Sequence, residues 1–278
     1  VPLFETPQPI SVSVDIAVGD VRLSADDRSD TVVEVRPGDP DNEADAKAAE
    51  STRVEYAGGR LTVRGPKPLA LVGRPGSVDI MIDLPSGSEV SGSAQTGSFR
   101  SSGRVGPCRV RTSTGDIHLG DTGPLVATTS VGDVTADRVD GSAEVTTGAG
   151  SVRLGMLTGS AVVKNANGEN WIGEAAGKLQ VRANGAITVD KAHTTLEAKT
   201  ARGDIRVGEV VRGTVVLATS RGALDIGIGA GTAARLDVRT KSGTVHNFLT
   251  ASDGPGQAQE TVEVHAGTSV GDISVRRA

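Results

Sequence analysis

One phrase recurs along this chain at a nearly constant interval. It reads TSTGDIHLG at 112–120, TARGDIRVG at 200–208 and TSVGDISVR at 268–276, with VGDVRL already at 18–23. The glycines of the copies are Gly97, Gly115, Gly132, Gly150, Gly168, Gly185, Gly203, Gly222, Gly243 and Gly271, at steps of 18, 17, 18, 18, 17, 18, 19, 21 and 28. A fixed period near 18 implies one small structural unit repeated, each unit burying its apolar face against the next.

The residues around each glycine say what that unit is. Two and four positions after it come mainly Ile, Val and Leu, as in Ile117/Leu119, Val152/Leu154 and Ile205/Val207. Five and seven positions before it come Cys108/Val110, Leu125/Ala127, Ala143/Val145 and Leu196/Ala198. Period-two alternation marks a strand with one face buried. A second glycine follows in many copies, for instance Gly123, Gly141 and Gly159. Each repeat therefore reads as two short strands and two turns, glycine serving the turns because it tolerates positive φ. Strands so spaced pair in parallel with their equivalents one coil away, a rise of about 4.8 Å per coil. The expected fold is all-β, a single-chain parallel β-solenoid with about 18 residues and two short strands per coil, forming one domain over 1–278. The coils are expected to stack in chain order, the long last steps being loops inserted in ordinary coils.

Three residues before the glycine stands a further row, Thr112, Thr129, Thr147, Asn165, Thr200, Thr219, Thr240 and Thr268. Its offset points it inward, as a stacked hydrogen-bonded ladder. Residues 1–90 are less regular. Gly19 obeys the rule, and strands are expected at TVVEV (31–35), GGRLTV (58–63) and GSVDIMIDL (76–84), in longer coils. The Ala-rich stretch after Asp41 and Asn42 predicts one short helix near 42–51, capped by one of those two side chains. It would cover an open strand edge. Loops are expected at 65–75, which holds Pro66, Pro68 and Pro75, and as an insertion near 247–261.

Composition narrows the function classes. Aromatic residues are only 2%, so the core must be aliphatic. The charge is mixed, −5 net, without a basic run, which argues against nucleic acid. No apolar stretch is long enough to span a membrane. Val1 opens no basic and apolar leader, and Cys108 is alone, so a cytoplasmic, monomeric protein without a disulfide framework is expected.

The TxxGDIxV phrase, together with EVTTGAGSVRLG, VVKNANGENWIGE, PISVSVDIAVGDVRL and AAESTRVEYAGGRLTV, resembles a bacterial, mainly actinobacterial, family of adhesin-like proteins with β-strand repeats and no known function. The resemblance covers essentially the whole chain. It implies a β-solenoid and supplies no catalytic residues.

The chain offers little chemistry of its own. His118 and His246 are outward but many coils apart, and no cluster has metal-ligand spacing. Cys108 falls inward, as a small hydrophobe. Asp20, Asp116, Asp133, Glu169, Asp204 and Asp272 follow the glycines, but the row is interrupted, and local backbone hydrogen bonds account for it better than calcium. No motif asks for a cofactor. The outward row three residues after the glycine is more informative: it carries Arg100, His118, Arg153, Trp171 and Arg206. Arg153 and Trp171 should be cross-strand neighbours, in cation–π reach. These five residues are the candidate binding surface, unless Trp171 packs under a loop or the helix. The primary reading is a non-enzymatic scaffold with a protein or glycan partner. Two alternatives remain open: a carbohydrate-active β-helix enzyme using Asp116 and Asp133 with Arg100 or Arg153, and a polymerising scaffold.

Overall fold

The computed structural model describes residues 1–66, 75–250 and 258–278. The core of each expected loop, 67–74 and 251–257, lies outside the described residues. The chain divides into two compact units, Val1–Asp137 and Arg138–Ala278. Each is a stack of coils in which the chain feeds two sheets alternately.

The first unit holds β1 (Leu3–Glu5), β2 (Ser11–Val18), β3 (Val21–Asp26), β4 (Asp30–Pro37), α1 (Glu43–Ser51), β5 (Arg53–Ala57), β6 (Arg60–Arg64), β7 (Val78–Pro85), β8 (Glu89–Thr96), β9 (Phe99–Val105), β10 (Cys108–Thr114), β11 (Ile117–Thr122), β12 (Leu125–Val131) and β13 (Val134–Val139), within which the boundary falls. One sheet runs β1-β4-β7-β3-β9-β11-β13 and the other β12-β10-β8-β2-β6-β5. The alternation is as expected. In β10, Cys108, Val110 and Thr112 are buried while Arg109 and Arg111 are exposed. Cys108 pairs with Val90 on one side and Leu125 on the other, so like positions form columns. Phe99 is fully buried because the column opposite it holds Gly92, where a Cβ would strike its ring.

Stacking in chain order fails at the start of this unit. Val21 pairs with both Ile80 and Phe99, and Val12 with both Leu61 and Val90. The β2/β3 coil is therefore clamped between the later β6/β7 and β8/β9 coils. TVVEV is no rung of the stack either. Residues 26–30 reverse the chain, and β4 runs antiparallel to both β7 and β1. β5 likewise folds back antiparallel on β6. The helix is where the sequence places it, with the Asn42 side chain accepting from the Ala44 N–H at 2.9 Å. The buried Asp45 carboxylate accepts from the backbone N–H groups of Ser77 (2.9 Å) and Asp39 (3.0 Å), which fastens α1 beside β4 and β7.

The second unit holds β14 (Ala143–Ala149), β15 (Val152–Leu157), β16 (Ala161–Asn165), β17 (Asn170–Ala175), β18 (Leu179–Ala183), β19 (Ile187–Ala192), β20 (Leu196–Arg202), β21 (Ile205–Val210), β22 (Gly213–Arg221), β23 (Leu224–Ile228), β24 (Thr232–Ser242), β25 (Val245–Asn247), β26 (Glu260–Val270) and β27 (Ile273–Arg277). Its sheets run β15-β17-β19-β21-β23-β27-β25 and β14-β16-β18-β20-β22-β26-β24. Here the expected order fails at the other end. Ile273 pairs with Leu224 and with Val245, so the last coil in sequence lies inside the β24/β25 coil. The long final steps are thus a crossing of the chain rather than loops in consecutive coils. Apolar content gives the physical reason. The inward residues of the last coil, Val262, Val264, Ala266, Ile273 and Val275, are all apolar and buried, whereas the equivalent positions of the outer coil are Ala234, Leu236, Val238, Val245 and the polar Asn247, which leaves it less to bury and suits it to an edge.

The repeated phrase has one mechanical explanation in both units. Gly97 has φ +151°, and a Cβ on it would come closer than 3.0 Å to the carbonyl oxygen of Gly19 in the neighbouring coil. Gly243 repeats this at φ +150° against Gly271. Most of the row is buried as expected, Thr240 only in part, and its hydroxyls reach for the backbone of the neighbouring coil. The Thr112 hydroxyl donates to the Gly97 carbonyl (3.1 Å), Thr129 to Gly115 (3.1 Å), Thr219 to Gly203 (3.1 Å) and Thr268 to Gly222 (3.0 Å). The aspartates reach the next coil too. Asp20 accepts from the Ser98 N–H (2.8 Å), Asp116 from Asp133 (2.9 Å), Asp204 from Ala223 (2.7 Å) and Asp272 from Thr244 (2.8 Å). Gly, Thr and Asp therefore recur together because all three shape the same inter-coil junction.

Candidate functional site

The outward row of the second unit begins with Arg153 on β15, Trp171 on β17 and Thr188 on β19, each the direct cross-strand partner of the next. Arg206 continues it opposite Thr188. Strand alternation puts all four on one face. Trp171 remains 37% exposed, so among the described residues neither helix nor loop buries it. Its indole lies along its own strand, with Cη2 3.1 Å from where a Cβ of residue 173 would stand. That residue is Gly173, and its missing Cβ would also crowd the Gly155 carbonyl at 2.5 Å. The glycine leaves a flat floor on which the ring can lie.

Beside the ring is a groove of about 240 Å³, lined by Ser151, Val152, Arg153, Glu169, Asn170, Trp171, Ala186 and Thr188. Its polar character comes from two departures from the repeat. The aspartates that bridge neighbouring coils elsewhere are replaced here by Ser151, Glu169 and Ala186. Asn170 occupies an inward position that is apolar in most other coils. It is 2% exposed, and Asn165 donates to its Oδ1 at 3.1 Å. Asn165 also donates to the Gly150 carbonyl (3.0 Å), and Asn170 to those of Gly168 and Ala186 (both 3.2 Å). This buried pair holds the three turns beneath the groove in fixed relation, since a polar network with its partners met is rigid. Asn170 was the readable signal for it, as a polar residue in an apolar column.

The other expected site residues are placed differently. Arg206 donates through Nε to Asp225 at 3.2 Å, and Arg276 approaches the same carboxylate at 3.3 Å. Arg206 is thus committed to an ion pair within its own row. Arg100 and His118 belong to the first unit, where Arg22, Arg100 and His118 are successive cross-strand partners. The imidazole of His118 lies 3.9 Å from the Asp116 carboxylate. These three residues make a separate basic row.

Two further features bear on chemistry. In the first unit a crevice of about 620 Å³ is lined by Pro7, Pro9, Asp26, Asp27, Arg28, Ser29, Asp30, Pro85 and Ser86. Arg28 bonds Asp30 at 2.9 Å and meets Asp83 at 3.2 Å. The hydrogen bond raises the Arg28 pKa and lowers that of Asp30. Cys108 is inward as expected, and burial pushes its thiol up to about 12, which leaves it unreactive at neutral pH. Among the described residues no helix is long and apolar enough to cross a membrane, and no group of His, Cys, Asp or Glu is arranged to hold a metal ion.

No family model and no curated protein matches this chain. Solved structures align along nearly its whole length. A "putative cell adhesion protein" from Clostridium sporogenes is 11% identical, with a TM-score of 0.26 over 100% of this chain and 98% of that one. A "putative lipid binding protein" from Parabacteroides distasonis is 11% identical, with a TM-score of 0.33 over 100% and 95%. A "putative adhesin" from Bacteroides fragilis is 12% identical, with a TM-score of 0.28 over 99% and 95%.

Proposed function

We propose that this protein is a non-enzymatic, adhesin-like binding scaffold whose second unit receives a protein or glycan partner on the sheet face around Trp171. The observation that carries this reading is the part-exposed indole lying flat beside a polar groove, between Arg153 and Thr188. An aromatic face next to a guanidinium and a carboxylate suits a ring with polar edges, either a sugar or a side chain. The carboxylates support a binding role over a catalytic one. Asp116, the first acid an enzyme reading would use, is occupied in accepting the Asp133 N–H.

Trp171 is the chain's single tryptophan, so tryptophan emission, excited selectively over Tyr56, reports on this groove alone. Titration with glycans and with surface-protein extracts should shift its emission saturably. Trp171→Ala should abolish capture of the same partner, and Arg153→Ala should weaken it about 10-fold, as loss of one charged contact does. Stability should change by less than about 0.5 kcal/mol in Arg153→Ala and fall by about 1 kcal/mol in Trp171→Ala, which loses the ring's cross-strand packing. Full capture by Trp171→Ala would overturn the proposal.

A further inference from the structure

Among the described residues β24 is paired on one side only, with β26. It is an edge of 11 residues. The end of the core behind it is incompletely covered. Leu236 and Val238 are half-buried, while Val245 is 38% and Phe248 69% exposed. A long edge with apolar side chains at its foot is a template for another strand. The solvent-facing side of β24 carries its own complement, since Arg235, Asp237 and Arg239 alternate in sign.

We propose that β24 pairs antiparallel with β24 of a second copy, about a two-fold axis through Leu236, joining two second units into a dimer. Registers that keep the inward residues of both strands on one face must centre on a residue. Centring on Asp237 sets that carboxylate against itself and Arg235 against Arg239. Centring on Val238 sets Asp237 against the partner's Arg239 but also Arg235 against Lys241, so attraction and repulsion offset each other. Centring on Leu236 sets Arg235 against the partner's Asp237 on both sides of the axis, Leu236 against itself and Ala234 against the partner's Val238. Opposite charges directly across a strand pair stabilise it and like charges destabilise it, so this register is favoured. The same symmetry closes the assembly at two copies, since an isologous contact leaves no free edge of its kind.

Sedimentation velocity of the full chain should show its mass doubling as concentration rises through the micromolar range. Arg235→Asp makes both symmetric contacts repulsive and should weaken association by about 10-fold or more. Combining Arg235→Asp with Asp237→Arg should restore it. Leu236→Cys should give a disulfide-linked dimer on oxidation and Ala234→Cys should not, because only a residue on the axis faces its own copy. Cys108, buried, stays out of that reaction. A chain that stays monomeric throughout, a dimer indifferent to Arg235→Asp, or a mass that grows past two copies would overturn the proposal. If Arg235→Asp fails to fold by circular dichroism, the two cysteine variants decide: crosslinking at 234 and not at 236 would overturn it.

Discussion

The first coil of the first unit and the last coil of the second meet the same difficulty in different ways. In both units the parallel coil nearest the chain terminus is drawn inward. β2/β3 sits between β6/β7 and β8/β9, and β26/β27 between β22/β23 and β24/β25. The coil left outermost is treated differently in the two. In the first unit, β6/β7 is covered by β4 and β1, by the β5 hairpin strand and by α1, and Leu61, Val63, Ile80, Ile82 and Leu84 are all 0% exposed. In the second unit, β24/β25 has no such cover among the described residues, and its inward Leu236 and Val238 are half-buried. A coil buries its apolar row only when something lies on both sides of it. An end is therefore finished with antiparallel strands and a helix, or left as a surface that another strand can join.

Glycine substitution should break this comparison open most strongly. Gly97 and Gly243 have nearly the same φ and the same clash awaiting a Cβ. Gly97→Ala must force apart two coils held on both sides, combining strain at positive φ with overpacking, about 3–5 kcal/mol together. Gly243→Ala should cost about 1 kcal/mol or less, because an uncovered end coil can peel away locally. Hydrogen-exchange mass spectrometry can score both, since peptides from β8 and β9 should lose protection in the first variant while only β24 and β25 change in the second. Equal losses would mean that the outer coil is as firmly held as the covered one.

Asp45→Ala tests the cover itself. It strands two backbone donors, those of Ser77 and Asp39, at a cost of about 2–3 kcal/mol. The expected readout is faster exchange in α1 and β7 with no change in β24. Unaltered exchange in β7 would show that the antiparallel strands alone finish that end.

Much of the architecture was legible because a repeat writes the same constraint many times. The apolar offsets, the inward Thr112 and Thr219 and the pairing of Arg153 with Trp171 follow from period and alternation, while the helix cap, narrowed only to Asp41 or Asn42, follows from the side chains that accept from a first-turn N–H. The order of the coils was not legible, and the reason lies in parallel pairing. Coils of one period present nearly the same row of N–H and C=O groups, so the Gly271 coil fits against Gly222 as well as the Gly243 coil would. What decides between them is how many apolar side chains each has to bury, a sum over the coil that no single offset reveals. The junction chemistry was half readable. Thr and Asp were seen as rows, but partners one coil away cannot be told from partners in the same turn by spacing alone. At the site, the row itself held a missed signal: Asp225 follows Arg206 by one coil, and opposite charges at adjacent rungs meet.

The smallest expected effect sharpens the same contrast at a single hydrogen bond. Thr112 and Thr240 make equivalent bonds, to the carbonyls of Gly97 (3.1 Å) and Gly271 (2.9 Å). Thr112 is 1% exposed and Thr240 only half-buried. Threonine to valine removes the hydroxyl at nearly constant shape. For Thr112→Val the buried Gly97 carbonyl loses a donor that water cannot replace, and about 1 kcal/mol should be lost. For Thr240→Val water can reach the Gly271 carbonyl, so the loss should be no more than a few tenths of that. Denaturation midpoints of the two variants, with exchange to localise each, will separate these values. If Thr240→Val costs as much as Thr112→Val, water does not reach that junction, and the end of the second unit is covered after all.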